Sequence, residues 1–209
     1  MASSSVEEMP RARAKPTRAP LTREQIVAAA RVKLQESPEH PPTMRSLARD
    51  LGIAAPSLYW HFSGQAELLG ELARTMLEDE IAWPQPSGDW RVDADLLARA
   101  LRSSILDRPE VAAVLDWNVP FVIAAVAREH CTTIMSQNFE DGVAAERSTQ
   151  LMFFVFGHVI VERGALRHNA GAGDAAVAEL RDRFGDMFDR SLRSVLDGMA
   201  AEVLPARRP

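Results

Sequence analysis

Apolar residues recur at helical spacing along most of the chain, and no stretch of useful length alternates as a strand would. The pattern predicts an all-α protein without internal repeats. Leu21 and Ile26 have the spacing of a hydrophobic staple around a Thr22/Gln25 capping box, so a first helix starts there and turns Ile26, Ala30 and Leu34 inward. The prolines of residues 37–42 end it and leave Thr43 as the cap of the next. Met44, Leu47, Ala48 and Leu51 form that second helix's inner face, and Gly52 follows where a left-handed cap is wanted. Pro56 suits the first turn of another helix, starting near Ala55. Ser63 and Gly64 are expected to cap a longer one, reaching about Ile81, with Leu68, Leu69, Leu72, Met76 and Leu77 apolar.

Residues 83–89, rich in proline and glycine, mark a boundary. Beyond it the periodicity predicts helices over about 90–106, 109–117, 120–138, 145–167 and 175–203. The last two carry more apolar surface than one face of each can hide in a single small body. The expected division is a basic, disordered arm at 1–19, a first unit at 20–82 with its connecting helix, and a helical unit at 83–209.

Two short helices joined by the tight turn at Gly52 read as a helix-turn-helix. In the second, Leu58 and Phe62 sit four apart and can face inward, but Ser57, Tyr59, Trp60 and His61 cannot all share that face. That composition suits a helix presented to the major groove of DNA. The stretch Gly52 to Phe62, preceded by Thr43-Met-Arg45 and followed by Gln65-Ala-Glu-Leu-Leu69, resembles the DNA-binding region of the tetracycline-repressor (TetR) family over roughly residues 20–77. Its Leu-Tyr-Trp-His core is most similar to the branch that contains the tetracycline repressor itself.

The resemblance implies roles residue by residue. Arg45 becomes the candidate for a bidentate contact to guanine. Thr43, Ser57, Tyr59, Trp60 and His61 match positions that face DNA, mostly phosphates, and Pro56 lies against thymine methyls. Two positions depart from the pattern. Ala55 stands where the tetracycline repressor has a base-reading amide, and Gln65 where a phosphate-binding lysine is usual, so the operator sequence does not transfer. A buried stacking role for Tyr59 or Trp60 is the alternative. The resemblance further implies a homodimer, paired by its last two helices as a four-helix bundle, that reads a palindrome with half-sites about 34 Å apart.

For residues 83–209 the resemblance implies a pocket for an unknown small-molecule effector. Leu101, Ile105, Trp117, Phe121, Met135, Phe153, Phe156 and His158 are the candidate lining, aromatic walls with an adaptable thioether, although any one of them can equally be plain core. No metal or other cofactor is expected. Residues 93–117 contain neither histidine nor asparagine, so chelation of magnesium–tetracycline as in the tetracycline repressor is not expected. An enzyme is the remote competitor. His158 and Glu162 share a helix face, and His130 and Cys131 adjoin, but no phosphate loop or nucleophile elbow accompanies them. A DNA-binding regulator or activator without an effector is the nearer one.

Charge sharpens this reading. The net charge of −5 divides into nine basic against four acidic residues over 10–61, and 15 basic against 23 acidic over 62–209. A basic reader on an acidic body shows this asymmetry. Arg11, Arg13, Lys15 and Arg18 in the arm either touch DNA or merely solvate a tail. The single cysteine, Cys131, excludes an intramolecular disulfide and any cysteine-built zinc site. Residues 1–20 lack the apolar stretch of a secretory signal, and the longest apolar run, 151–161, is too short for a bilayer. A soluble, cytoplasmic protein is the expectation.

Overall fold

The computed structural model describes residues 21–116 and 120–201, the side chains of 114–124 excepted. Every regular element among these residues is helical: α1 (Arg23–Glu36), α2 (Met44–Leu51), α3 (Ala55–Leu58), α4 (Gln65–Glu80), α5 (Trp90–Asp107), α6 (Pro109–Asp116), α7 (Pro120–Met135), α8 (Asp141–His168) and α9 (Asp174–Ala201).

Local signals account for most boundaries. Thr22 and Gln25 close the capping box of α1, each side chain bonding the other's backbone N–H. Asp89 caps α5 by accepting from the N–H groups of Arg91 and Val92. Two boundaries differ from the periodicity. Helix α8 starts at Asp141, before its first apolar contact, because Glu140 supplies an extended cap residue whose carbonyl accepts from Ala144 N–H at 2.8 Å. Helix α7 stops at Met135, beyond which the Gln137 and Asn138 N–H groups bond three residues back and tighten the chain into a turn.

Helices α1, α2, α3 and the start of α4 pack around Ile26, Leu34, Leu47, Leu58, Phe62, Leu68 and Leu72, all at most 1% exposed. Burying a side chain of this size contributes about 1.5–3 kcal/mol. The same apolar cluster continues along α4 through Met76 and Leu77 to Leu97, Leu101 and Ile105 of α5, and on to α7, α8 and α9. Helix α4 therefore packs at both ends, against α1 on one side and against α6 and α7 on the other. Any displacement of α6 or α7 meets the helix that follows α3.

Candidate nucleic-acid interface

Thr43 starts α2 by accepting from Ser46 N–H at 3.1 Å, and Ser46 Oγ in turn accepts from Thr43 N–H at 3.1 Å. A serine fills the third position that glutamate or glutamine usually takes. At the other end Gly52 adopts φ 64°, ψ 36°, and its N–H and that of Ile53 return to the carbonyls of Arg49 and Ala48. A side chain is strained in that conformation. Gly52→Ala is expected to lower stability by about 1–2 kcal/mol, measured by urea unfolding.

After the turn α3 makes one α-helical turn and then tightens, with Tyr59 N–H bonding Pro56 and His61 N–H bonding Leu58. The regular helix is thus shorter than its sequence suggests, yet its facing is the expected one. Leu58 and Phe62 are buried, while Tyr59 is 55% and Trp60 90% exposed. The alternative of a buried stacking role for these two rings is overturned. Pro56 is exposed beside them; Ser57, His61 and Ala55 are half-buried, Ala55 against the core. Thr43 and Arg45 are exposed on the first turn of α2. Gln65 departs from a free phosphate ligand: its amide donates to the Pro42 carbonyl at 3.1 Å and ties the start of α4 to the entry of α2.

Electrostatics here differ from a count of basic residues. Arg23 pairs with Glu67 at 2.9 Å, donates to the His61 carbonyl and lies 4.1 Å over the Phe62 ring. It staples α1 to both ends of the α3–α4 junction. The Ser63 backbone N–H, then the Ser63 hydroxyl and Arg23, hold the Glu67 carboxyl down at about 2. Glu67, rather than the Ser63 side chain alone, therefore organises the start of α4. Arg31 is taken up by Asp79 and Glu80, and Lys33 by Asp50, whose carboxyl it holds below the usual range. Arg45 forms no ion pair among the described residues, and Arg49, 78% exposed in its side chain, makes only a 3.7 Å contact with Asp50.

The family model for "Bacterial regulatory proteins, tetR family" matches residues 26–72, which span this interface. An HTH-type transcriptional regulator of Saccharopolyspora erythraea is 30% identical over 203 residues, covering 87% of this chain and 85% of that protein. The chain belongs to the TetR family. Among other TetR-family relatives, the tetracycline repressor protein class A from transposon 1721 of Escherichia coli is 28% identical, over 87% of this chain and 92% of the repressor. The crystal structure of Mycobacterium smegmatis BioQ superposes with a TM-score of 0.63 at 26% identity, over 87% of this chain and 99% of that one. The Streptomyces coelicolor TetR family protein ActR in complex with actinorhodin shares the fold at a TM-score of 0.66 and 23% identity, over 90% of this chain and 100% of that one. This TetR-family chain is thus a DNA-binding transcriptional regulator and not an enzyme.

The candidate pocket residues of this TetR-family chain scatter. Leu101, Ile105 and Met135 are fully buried in one core, with Phe156 half-buried against it. Phe153 is 76% exposed on the outer face of α8 and lines no interior wall, because its position on the helix is opposite the core positions Leu151 and Val155. Trp117 lies outside the described residues, as does the side chain of Phe121. His158 packs among Phe154, Phe184 and Phe188 between α8 and α9. Cys131 is fully buried, which pushes its thiol up to about 11 and disfavours the thiolate, and His130 stacks on Trp83 at 3.8 Å. Among the described residues no three histidine, cysteine or carboxylate side chains converge as a metal site, and no helix is long and apolar enough to cross a membrane. Sequence reasoning missed the stack of Trp83 on His130, whose partners lie in separate elements, and Arg102, which on α5 reads as one more solvated charge.

Proposed function

We propose that two copies of this chain pair through α8 and α9, read a palindromic DNA operator with their α2–α3 segments, and act as a cytoplasmic repressor released when a small molecule binds within residues 83–209. The observation that carries the reading is the exposure of Tyr59 and Trp60 together with that of Arg45, which forms no ion pair among the described residues, an arrangement with no use inside the protein. Pairing is supported by α8, which is apolar around its circumference: Leu151, Val155 and Val159 face the core while Phe153, Ile160 and Val161 are exposed. Helix α9 adds the exposed Met187 and a groove of about 240 Å³ in which Leu180, Phe184 and Met187 alternate with the charged Arg183, Asp186 and Arg190. Thr43, Ser57, Tyr59, Trp60 and His61 serve the phosphates, with the basic arm at 1–19 adding charge. The buried state of Leu101, Ile105 and Met135 favours a second reading, a regulator without an effector.

Selection of bound duplexes from random DNA, at fixed salt because phosphate contacts make affinity salt-dependent, tests the reader. A palindrome with half-sites about one helical turn apart is expected. Phe153→Asp is expected to give a monomer by sedimentation and to lose the palindrome. Selection of a single half-site by the unaltered protein overturns the paired reading.

A further inference from the structure

Three polar groups meet where α5, α8 and α9 join, and the DNA-reading surface uses none of them. Arg102 of α5 donates to Glu162 of α8 through both Nε at 2.9 Å and Nη2 at 2.6 Å, and Glu162 is fully buried. One turn earlier on α8, His158 turns Nε2 toward the same carboxylate at 3.5 Å, with its side chain 7% exposed. That nitrogen has no hydrogen-bond partner. Phe184 and Phe188 of α9 close over the ring edge-on at 5.8 and 5.0 Å, and Phe154 flanks it at 6.1 Å. Arg102 also lies 5.2 Å from the centre of the Phe188 ring, and a Cβ at Gly185 of α9 would sit in ordinary van der Waals contact with the guanidinium, at 3.7 Å.

Packing alone does not call for this arrangement. A buried nitrogen left without a partner costs free energy that an apolar residue of similar shape avoids. We propose that His158, Glu162 and Arg102 form a proton-operated latch: while the ring is neutral α9 stays closed on α5 and α8, and uptake of a proton at Nε2 loosens α9 and the outer α8–α9 face with it. The effect on pairing rests on the dimer proposed above; the latch does not.

The direction follows from what faces the ring. Burial opposes the imidazolium most, and Arg102 on α5 opposes it too; Glu162 on the same helix and the Phe184 backbone on α9 favour it. Burial prevails, with the Arg102 charge adding to it, and the pKa falls below the ordinary 6.5. The unfolded chain then binds the proton more readily than the folded one. The contribution of His158 to stability is therefore fully present above about pH 6.5 and is lost as the pH falls toward the folded value.

The test compares unaltered protein with His158→Phe between about pH 7.5 and about pH 5.5, a window around the ordinary imidazole value. The unaltered protein is expected to lose thermal stability on acidification, and its dimer dissociation constant to rise in step. His158→Phe is expected to show neither change, while single replacements of His40, His61, His130 and His168 by glutamine keep the wild-type fall. An equal fall in His158→Phe overturns the latch. Should that variant not fold, NMR titration of the unaltered protein decides, and a His158 signal titrating at or above about 6.5 overturns the proposal. A chain that sediments as a monomer at both pH values removes the pairing but leaves the melting and NMR readouts to judge the latch.

Discussion

Arg45→Ala is expected to weaken binding to the selected operator by about 5- to 150-fold, the range that about 1–3 kcal/mol for one bidentate base contact spans. The side chain stands exposed on the first turn of α2, one residue past the buried Met44, with no ion pair among the described residues to hold it back. Its removal leaves the Thr43–Ser46 cap and the Leu47–Leu58 packing in place, so melting temperature and sedimentation are expected to stay unchanged. Competition with scrambled duplexes separates the two roles available to it. A guanine reader loses affinity for the operator and gains little from salt titration. A phosphate ligand loses affinity for all duplexes alike and lowers the salt slope by about 0.9, which would reassign the base contact. Arg49→Ala is the internal comparison, expected to behave in this second way.

Arg102→Leu is expected to destabilise the protein by about 3–5 kcal/mol in urea unfolding, because it leaves the Glu162 carboxylate buried without its two-point partner. The double variant Arg102→Leu/Glu162→Leu is expected to recover most of that loss, since a buried pair replaced by apolar residues of similar volume forfeits attraction and desolvation cost together. A single variant that costs under about 1 kcal/mol would mean that water reaches Glu162 and that the pair behaves as a surface ion pair. Loss of a similar size in both variants would place the stability in the Arg102 stem against Phe188 rather than in the charges.

Thr22 with Gln25, Thr43, Gly52 and Pro56 set the starts and stops of α1, α2 and α3 through interactions that close within about one helical turn, and such signals are present in the sequence whatever surrounds them. The inward Leu58 and Phe62 were equally legible, because spacing on a helix fixes which side chains share a face, while the choice between an outward and a buried stacking role for Tyr59 and Trp60 fell to the structure. Family membership followed from the same short stretch. What the sequence left open were pairings across distance. Arg23, Arg31 and Lys33 counted as basic surface, yet Glu67, Asp79, Glu80 and Asp50, 17 to 49 positions away, neutralise them and leave Arg45 and Arg49 as the exposed arginines of α2. Gln65 stands at a position where the motif usually has a phosphate-binding lysine, and its amide is turned to Pro42. Phe153 and His158 belonged to one apolar run, and only the packing of α8 against α5 and α9 sends the first to the surface and the second into an aromatic cage. Arg102 meets Glu162 across 60 positions. A charge's partner and the buried side of an all-round apolar helix depend on which elements come together, and helical periodicity alone does not encode that choice.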